Sequence, residues 1–370
     1  MTPYLFLGVL PVSTNKYNLI HKGLYLHVSQ LQGVIMMPKI TLHIEVVRST
    51  NKSLSSMSEL SARAIVEVLR RHYSDVTMTN VDTLSDLHAL IARAPGAVFL
   101  GMNYVYDDTG LGAKIWVSDM LEKHAIRHTG SGKLSHRLGL NKHLAKQRMI
   151  ERGLQTAAFQ IVRRGDEQIM NIGSLAFPLF VKPSNKGGGQ GIDEFSVVHT
   201  IEELQSKITS IHDVEEADAL IETYLQGREF SVAVIGSTKT NTLTAMPIEL
   251  SATKDSNGDR MLSNLVKKAD TETVTAVTDL IEHAKLTTFA IDVFHALGAR
   301  DYGRIDVRFD STGAPHFLEA NLIPSLINGY GSFPKAYEMN LGRTYEDMVL
   351  QILHLALDHE PKKALIANAN

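Results

Sequence analysis

Two acidic side chains and a carboxamide near the end of the chain, Asp306, Glu319 and Asn321, have the types and spacing of an all-oxygen cation site. They lie in Tyr302-Gly303-Arg304-Ile305-Asp306-Val307-Arg308-Phe309 and Phe317-Leu318-Glu319-Ala320-Asn321, two runs in which apolar and polar residues alternate. The intervening Asp310-Ser311-Thr312-Gly313-Ala314-Pro315 reads as a turn. A period of two puts Arg304, Asp306 and Arg308 on one face of the first strand, and Phe317, Glu319 and Asn321 on one face of the second. Paired as a hairpin, the strands would bring the three oxygen donors together. Hard donors of this kind suit Mg²⁺ or Mn²⁺ bridging the phosphates of a nucleotide better than they suit zinc. The plainer reading is an exposed hairpin with a polar outer face.

Upstream, Phe177-Pro178-Leu179-Phe180-Val181-Lys182-Pro183 is an apolar strand with a lysine at its end, followed by a loop carrying Gly187, Gly188, Gly189 and Gly191. Glycines let backbone N–H groups approach phosphates closely and take up positive φ, and Lys182 would add a point charge. The loop is neither a Walker A motif nor a dinucleotide fingerprint, and alone it could be a hairpin turn.

Several motifs occur here in a fixed order: Val181-Lys182-Pro183 with its loop, Glu222-Thr223-Tyr224-Leu225-Gln226-Gly227-Arg228-Glu229, Gly303-Arg304-Ile305-Asp306 and Phe317-Leu318-Glu319-Ala320-Asn321. His128-Thr129-Gly130-Ser131-Gly132, Asn141-Lys142 with Lys146, and Ser332-Phe333-Pro334-Lys335-Ala336 add to them. In this order the chain resembles the ATP-grasp ligases, and among them the D-alanine–D-alanine ligase group, from about Ala97 to about Leu357. The resemblance implies an α/β protein of three lobes with an N-terminal parallel-sheet domain, using ATP and Mg²⁺. It implies that Lys142 and Lys182 contact phosphates beside Gly187, Gly188 and Gly189. Glu222, Tyr224 and Leu225 would hold the adenine, and Glu229 the ribose hydroxyls. Asp306, Glu319 and Asn321 would bind the metal, while Arg304 would steady the transferring phosphate. Lys267 (or its neighbour Lys268) falls near the family's lysine on the loop over the γ-phosphate, and residues 251 to 268 read as a lid. Ser325, Tyr330 and Ser332 fall on a loop that would line the acceptor pocket. The implied reaction transfers the γ-phosphoryl group to a carboxylate and lets an amine displace phosphate from the acyl phosphate.

The departures lie elsewhere. The family's glutamate after the first strand, which engages the first amino group, is absent or displaced in Leu54-Ser55-Ser56-Met57-Ser58-Glu59. Gly188 and Gly189 stand in place of a serine pair, Lys268 in place of a tyrosine, and Met102-Asn103 in place of a His-Gly; Asp108-Thr109-Gly110 still resembles the later acidic turn. The nucleotide half is kept and the amino-acid half rewritten, which points to a different carboxylate donor. Other readings are a D-alanine–D-alanine ligase with drifted motifs, a natural-product ligase activating another oxygen, and a nucleotide-binding protein without catalysis.

Composition agrees with an enzyme of this kind. A chain of 370 residues, 44% of them hydrophobic, can build two or three packed lobes. A net charge of −3 gives no basic footprint for nucleic acid. Small-molecule carboxylate and amine partners are what the resemblance implies, with a homodimer allowed. Sixteen scattered histidines without a cysteine argue against zinc, and the lack of cysteine is compatible with the cytoplasm. No run of eighteen apolar residues predicts a membrane span. We expect a dispensable extension over 1–36, an α/β domain over 37–130, an ATP-binding lobe over 131–227, a metal-bearing lobe over 228–362 and a tail over 363–370. Strands are predicted at 39–47, 96–101 and 218–225. Helices are predicted at 61–73, 116–124, 139–153, 202–210 and 345–357, with one or two more within 273–297.

Overall fold

A computed structural model of the protein describes residues 39–51, 54, 56–107, 112–166, 172–173, 175–251 and 273–360. The first strand β1 (Ile40–Arg48) lies between β2 (Tyr73–Asn80) and β3 (Ala97–Leu100), parallel to both. Crossovers between parallel strands need helices, and α1 (Glu59–His72) and α2 (Leu84–Ala92) supply them. Ser58 starts α1 by accepting a hydrogen bond from the Ser61 N–H, and Thr83 with Asp86 forms a capping box on α2. A hairpin of β4 (Tyr104–Tyr106) and β5 (Lys114–Trp116) follows, then α3 (Val117–Lys123) and α4 (Lys133–Gly139). The helix predicted over 139–153 is shorter: α4 ends at Gly139 and α5 (Lys142–Glu151) begins afresh after Asn141.

The second sheet has the order β6-β9-β7-β8, from β6 (Phe159–Val162), β7 (Leu179–Pro183), β8 (Val197–Val198) and β9 (Ala219–Thr223). Strand alternation gives it two unlike faces. Leu179, Val181, Ala219 and Ile221 pack under Leu204, Ile208 and Ile211 of α6 (Ile201–Val214), while Phe180, Lys182 and Glu222 turn the other way, onto a cleft.

The third sheet is antiparallel, in the order β12-β11-β10-β13-β14, from β10 (Glu229–Gly236), β11 (Thr244–Ser251), β12 (Thr273–Ala276), β13 (Asp301–Phe309) and β14 (Pro315–Asn321). The segment expected to be helical from 273 thus starts as a strand. Its Thr-Val-Thr-Ala run is β-prone, and α7 (Leu280–Ala296) starts only where Asp279 caps the Ile281 and Glu282 N–H groups. Phe230, Val232, Ile305 and Val307 bury against Phe289, Val293 and Phe294 of α7.

Two closing helices, α8 (Ser332–Leu341) and α9 (Tyr345–Leu357), join the ends of the chain's described part. Met348, Val349, Ile352 and Leu353 of α9 share one core with Ile44, Val46 and Ile65 of the parallel-sheet region and with Phe333 and Tyr337 of α8. Full burial of each such side chain contributes about 1.5–3 kcal/mol, which ties the parallel sheet to the third sheet. Residues 1–36, the tail over 363–370, Asp108-Thr109-Gly110, residues 252–268 of the expected lid, and Lys267 lie outside the described residues.

Candidate functional site

A cleft of about 820 Å³, its open mouth included, runs between the second and third sheets. Lys142, Lys182, Gly189, Glu222, Tyr224, Leu225, Glu229, Asp306 and Glu319 all line it. Lys142 enters as the first residue of α5, Lys182 from β7, Glu222 from β9, Glu229 from β10, and Asp306 and Glu319 from β13 and β14. Gly187 and Gly188 precede Gly189 in the loop after β7. Gly188 and Gly189 have φ of 64° and 79°, the left-handed region that side chains disfavour, so both turns need glycine.

The hairpin pairs Asp306 with Glu319 and Arg304 with Asn321, so four polar side chains share one end of the sheet. The pairing contains a bulge between Asp306 and Val307, and this overturns one expectation. Phe317 does not share a face with Glu319: it is fully buried beside Ile305 and Val307, and the extra residue of the bulge turns both Leu318 and Glu319 into the cleft.

The charges around the cleft pair off. Arg304 grips Asp306 through two bonds of 2.9 and 2.7 Å, Ser231 donates to the same carboxylate at 2.8 Å, and the Asn321 amide donates at 3.3 Å. Lys142 lies 3.4 Å from Glu319 and donates to the Lys186 carbonyl. Lys182 lies 2.6 Å from one oxygen of Glu222, and Lys146 contacts the other. Burial pushes the Glu222 carboxyl up, but the Lys146 and Lys182 ammoniums outweigh burial and hold it below the ordinary carboxylate range. Burial lowers the Lys146 ammonium below its ordinary value, against the pull of Glu222.

Lys146 is a residue whose part the sequence did not disclose. It is fully buried, and besides Glu222 it donates to Thr156 at 2.7 Å and to the Phe317 carbonyl at 3.4 Å. A single side chain of α5 therefore ties β9 to β14. Ser231, Arg308 and Leu318 were likewise given no role. Only the alternation along 229–231 and 304–308 could have pointed to the first two.

Ser325, Tyr330 and Ser332 are not among the residues lining this cleft. Ser325 follows β14, Tyr330 is exposed with Lys335 over its ring, and Ser332 begins α8. The departure at Leu54 has a structural counterpart. Leu54 is buried in a core with Val98, Leu100, Met102 and Ile323.

Among the described residues no three His, Cys, Asp or Glu side chains form a metal cage. The donor set of Asp306, Glu319 and the Asn321 amide still fits Mg²⁺, which keeps several positions for water and phosphate oxygens rather than asking for a full protein cage. No helix among the described residues is long and apolar enough to cross a membrane.

The family model described as the D-ala D-ala ligase C-terminus matches residues 149–354. Over 266 residues the chain is 30% identical to uncharacterized protein y4sG of Sinorhizobium fredii, covering 72% of this chain and 76% of that one. It is 25% identical over 327 residues to a D-alanine–D-alanine ligase of Cupriavidus metallidurans, covering 88% and 95%. A crystal structure of D-alanine–D-alanine ligase from Bacillus anthracis complexed with ATP shares the fold, with a TM-score of 0.67 at 18% identity over 86% of this chain and 98% of that one. The chain belongs to the D-ala D-ala ligase C-terminus family, and with it to the ATP-dependent, ADP-forming carbon–nitrogen ligases of ATP-grasp fold.

Proposed function

We propose that the protein joins a carboxylate to an amine through an acyl phosphate, on an amino acid or a related small molecule other than D-alanine. The observation that carries this reading is the convergence, in one cleft, of Lys142 and Lys182 with Glu222, Glu229, Asp306 and Glu319. ATP would lie along it, with adenine beside Glu222, Tyr224, Leu225 and Leu318, ribose at Glu229, and phosphates between Lys142, Lys182 and the glycine loop. Asp306, Glu319 and Asn321 would hold Mg²⁺, which supplies charge neutralisation at the β- and γ-phosphates when bound.

The protein's own residues do the rest by exchanging partners. Three cations at the cleft rest on carboxylates: Arg304 on Asp306, Lys142 on Glu319, Lys182 on Glu222. Incoming phosphate oxygens can take over the lysines, and Arg304, once released by Asp306, can reach the transferring group and the oxyanion at the acyl carbon. Half a turn of the Asn321 amide would present its oxygen in place of its nitrogen. Acyl phosphates hydrolyse in water, so a cover over the cleft is required, and Lys267 is placed by the sequence on the segment that would provide it. Dependence on an ATP supply favours the cytoplasm.

The names of the relatives favour D-alanine as substrate. The buried Leu54, beside Met102 and Ile323, favours another donor, because an apolar core offers no partner to an ammonium group. The test is phosphate release from ATP with amino acids and other small carboxylates, singly and in pairs with amines, with mass spectrometry of the products. An amide formed with ADP and phosphate supports the reading. Release of phosphate without any condensed product across the panel contradicts it.

A further inference from the structure

Arg308 shares the polar face with Arg304 and Asp306, yet the transfer of a phosphoryl group gives it nothing to do. It lines the cleft at the end away from Asn321, directly across the β10–β13 ladder from Glu229. It is 7% exposed, and its guanidinium is held on several sides. Nε donates to the Gly227 carbonyl at 3.1 Å, Nη2 donates to the Tyr224 hydroxyl at 3.1 Å, and the guanidinium lies 4.9 Å over the Tyr224 ring. Its remaining nitrogen, Nη1, is 3.5 Å from Oε2 of Glu229.

We propose that Arg308 is a positioning residue for the nucleoside, holding the Glu229 carboxylate at the angle from which it reads the ribose 2′-hydroxyl. The inference rests on Glu229 being the ribose-binding acid. A carboxylate at the start of a strand, as Glu229 is in β10, can swing about its own side chain, and each swing would cost a charge-assisted hydrogen bond to the sugar. Arg308 approaches Oε2 of Glu229, and the attraction between the two charges restrains the carboxylate against rotation. A lysine could not do this, because its donors radiate from one point and cannot be pinned in a plane by Gly227, Tyr224 and Glu229 together. The backbone oxygen of Gly227 and the ring of Tyr224 thus link the strand-end turn before β10 to sugar recognition. Asp306 sits two residues along the same strand, so the phosphate end keeps its ligands when Arg308 is changed.

The experiment measures dissociation constants of Mg²⁺-ATP and Mg²⁺-2′-deoxy-ATP by calorimetry, on the full chain. The parent should prefer ATP by about tenfold, the worth of one hydrogen bond to a charged acceptor. In Arg308→Met the preference should fall to within about twofold, chiefly because ATP weakens while 2′-deoxy-ATP changes little. Arg308→Lys should give an intermediate preference. Tyr224→Phe, which frees Nη2 and keeps the ring, should lower the preference in the same direction by a smaller factor, and it answers the question if Arg308→Met does not fold. Glu229→Gln separates the two claims. If Glu229→Gln, or the parent itself, shows the preference unaffected by the carboxylate or absent, the ribose reading falls, and the role of Arg308 with it. If Glu229→Gln abolishes the preference while the Arg308 and Tyr224 variants keep it, the ribose reading stands and the positioning role is overturned.

Discussion

The nucleotide cleft and the end of the parallel sheet near Leu54 differ in what they bury. In and directly behind the cleft, burial is spent on charge: Lys182, Glu222 and Asp306 on its wall and Lys146 beneath are all nearly out of water, and each has an opposite partner. Around Leu54, burial is apolar, with Val98, Leu100, Met102 and Ile323 packed together. Hydrophobic residues of similar volume can replace a buried ion pair at little or no loss in stability, so charges that persist in a cleft call for a reason other than folding. A nucleotide triphosphate and its cation supply one. The apolar packing at Leu54 needs no ligand to account for it. The same chain thus carries a region rich in paired buried charge, which we propose binds a nucleotide, and another packed as core, in which the family's amino-group site would fall.

The largest effect that could break this contrast is at the metal site. Asp306→Asn and Glu319→Gln should each lower Mg²⁺-dependent ATP turnover about a thousandfold, since each removes one ligand of the cation. The unfolding midpoint should stay within about 3 °C of the parent. Turnover and midpoint falling together would mean that these carboxylates serve the fold and not the phosphates.

Next in size is Lys182→Ala. ATP binding, read by calorimetry, should weaken about thirtyfold, and saturating Mg²⁺-ATP should raise the melting temperature of the parent far more than that of the variant. Equal ATP-induced shifts in both would remove Lys182 from the phosphate site.

Leu54→Ala probes the other region. As a core position it should lose about 2–4 kcal/mol in denaturant unfolding, with ATP affinity unchanged within about twofold. Loss of affinity without loss of stability would make Leu54 part of a ligand pocket and dissolve the contrast.

The smallest effect concerns α4, which lies between the two regions. Burial, with His128 close by, holds the His136 imidazole down at about 3, against an ordinary 6.5. The folded protein keeps this ring neutral while the unfolded chain takes up a proton below 6.5, so protons favour the unfolded state. Stability should therefore fall as the pH drops from about 6.5 towards 3, and His136→Gln should show a shallower fall over that window. Identical slopes would mean that His136 is already charged in the folded protein.

The cleft was legible because its residues sit on regular elements with strong periodicity. The alternation along Tyr302–Phe309 and through Phe317–Asn321 predicts the hairpin, and with it the pairing of Asp306 and Glu319. The bulge shows in the sequence only as two consecutive apolar residues, Phe317 and Leu318, a break in the alternation too short to fix which face each one meets. The burial of Lys146 was hidden for a different reason: a lysine on a short helix looks solvated until Thr156, Glu222 and the Phe317 carbonyl arrive from three other segments. The strands β10 and β11 passed unnoticed because a strand covered on both faces loses its alternation, as in Phe230-Ser231-Val232-Ala233-Val234-Ile235. The parallel sheet was visible in β1 and β3, whereas β2, Tyr-Ser-Asp-Val-Thr-Met-Thr-Asn, is too polar at the edge of its sheet to stand out.

The central claim is that the phosphate machinery works on a donor other than D-alanine. It is tested most directly by comparing ADP formation by the purified protein with D-alanine alone against ADP formation with a panel of carboxylate and amine pairs, each product identified by mass. The account predicts little turnover with D-alanine and at least one pair that gives an amide with much faster ADP release. Efficient formation of D-alanyl-D-alanine would contradict it, showing that the apolar packing at Leu54 leaves the family's substrate in place.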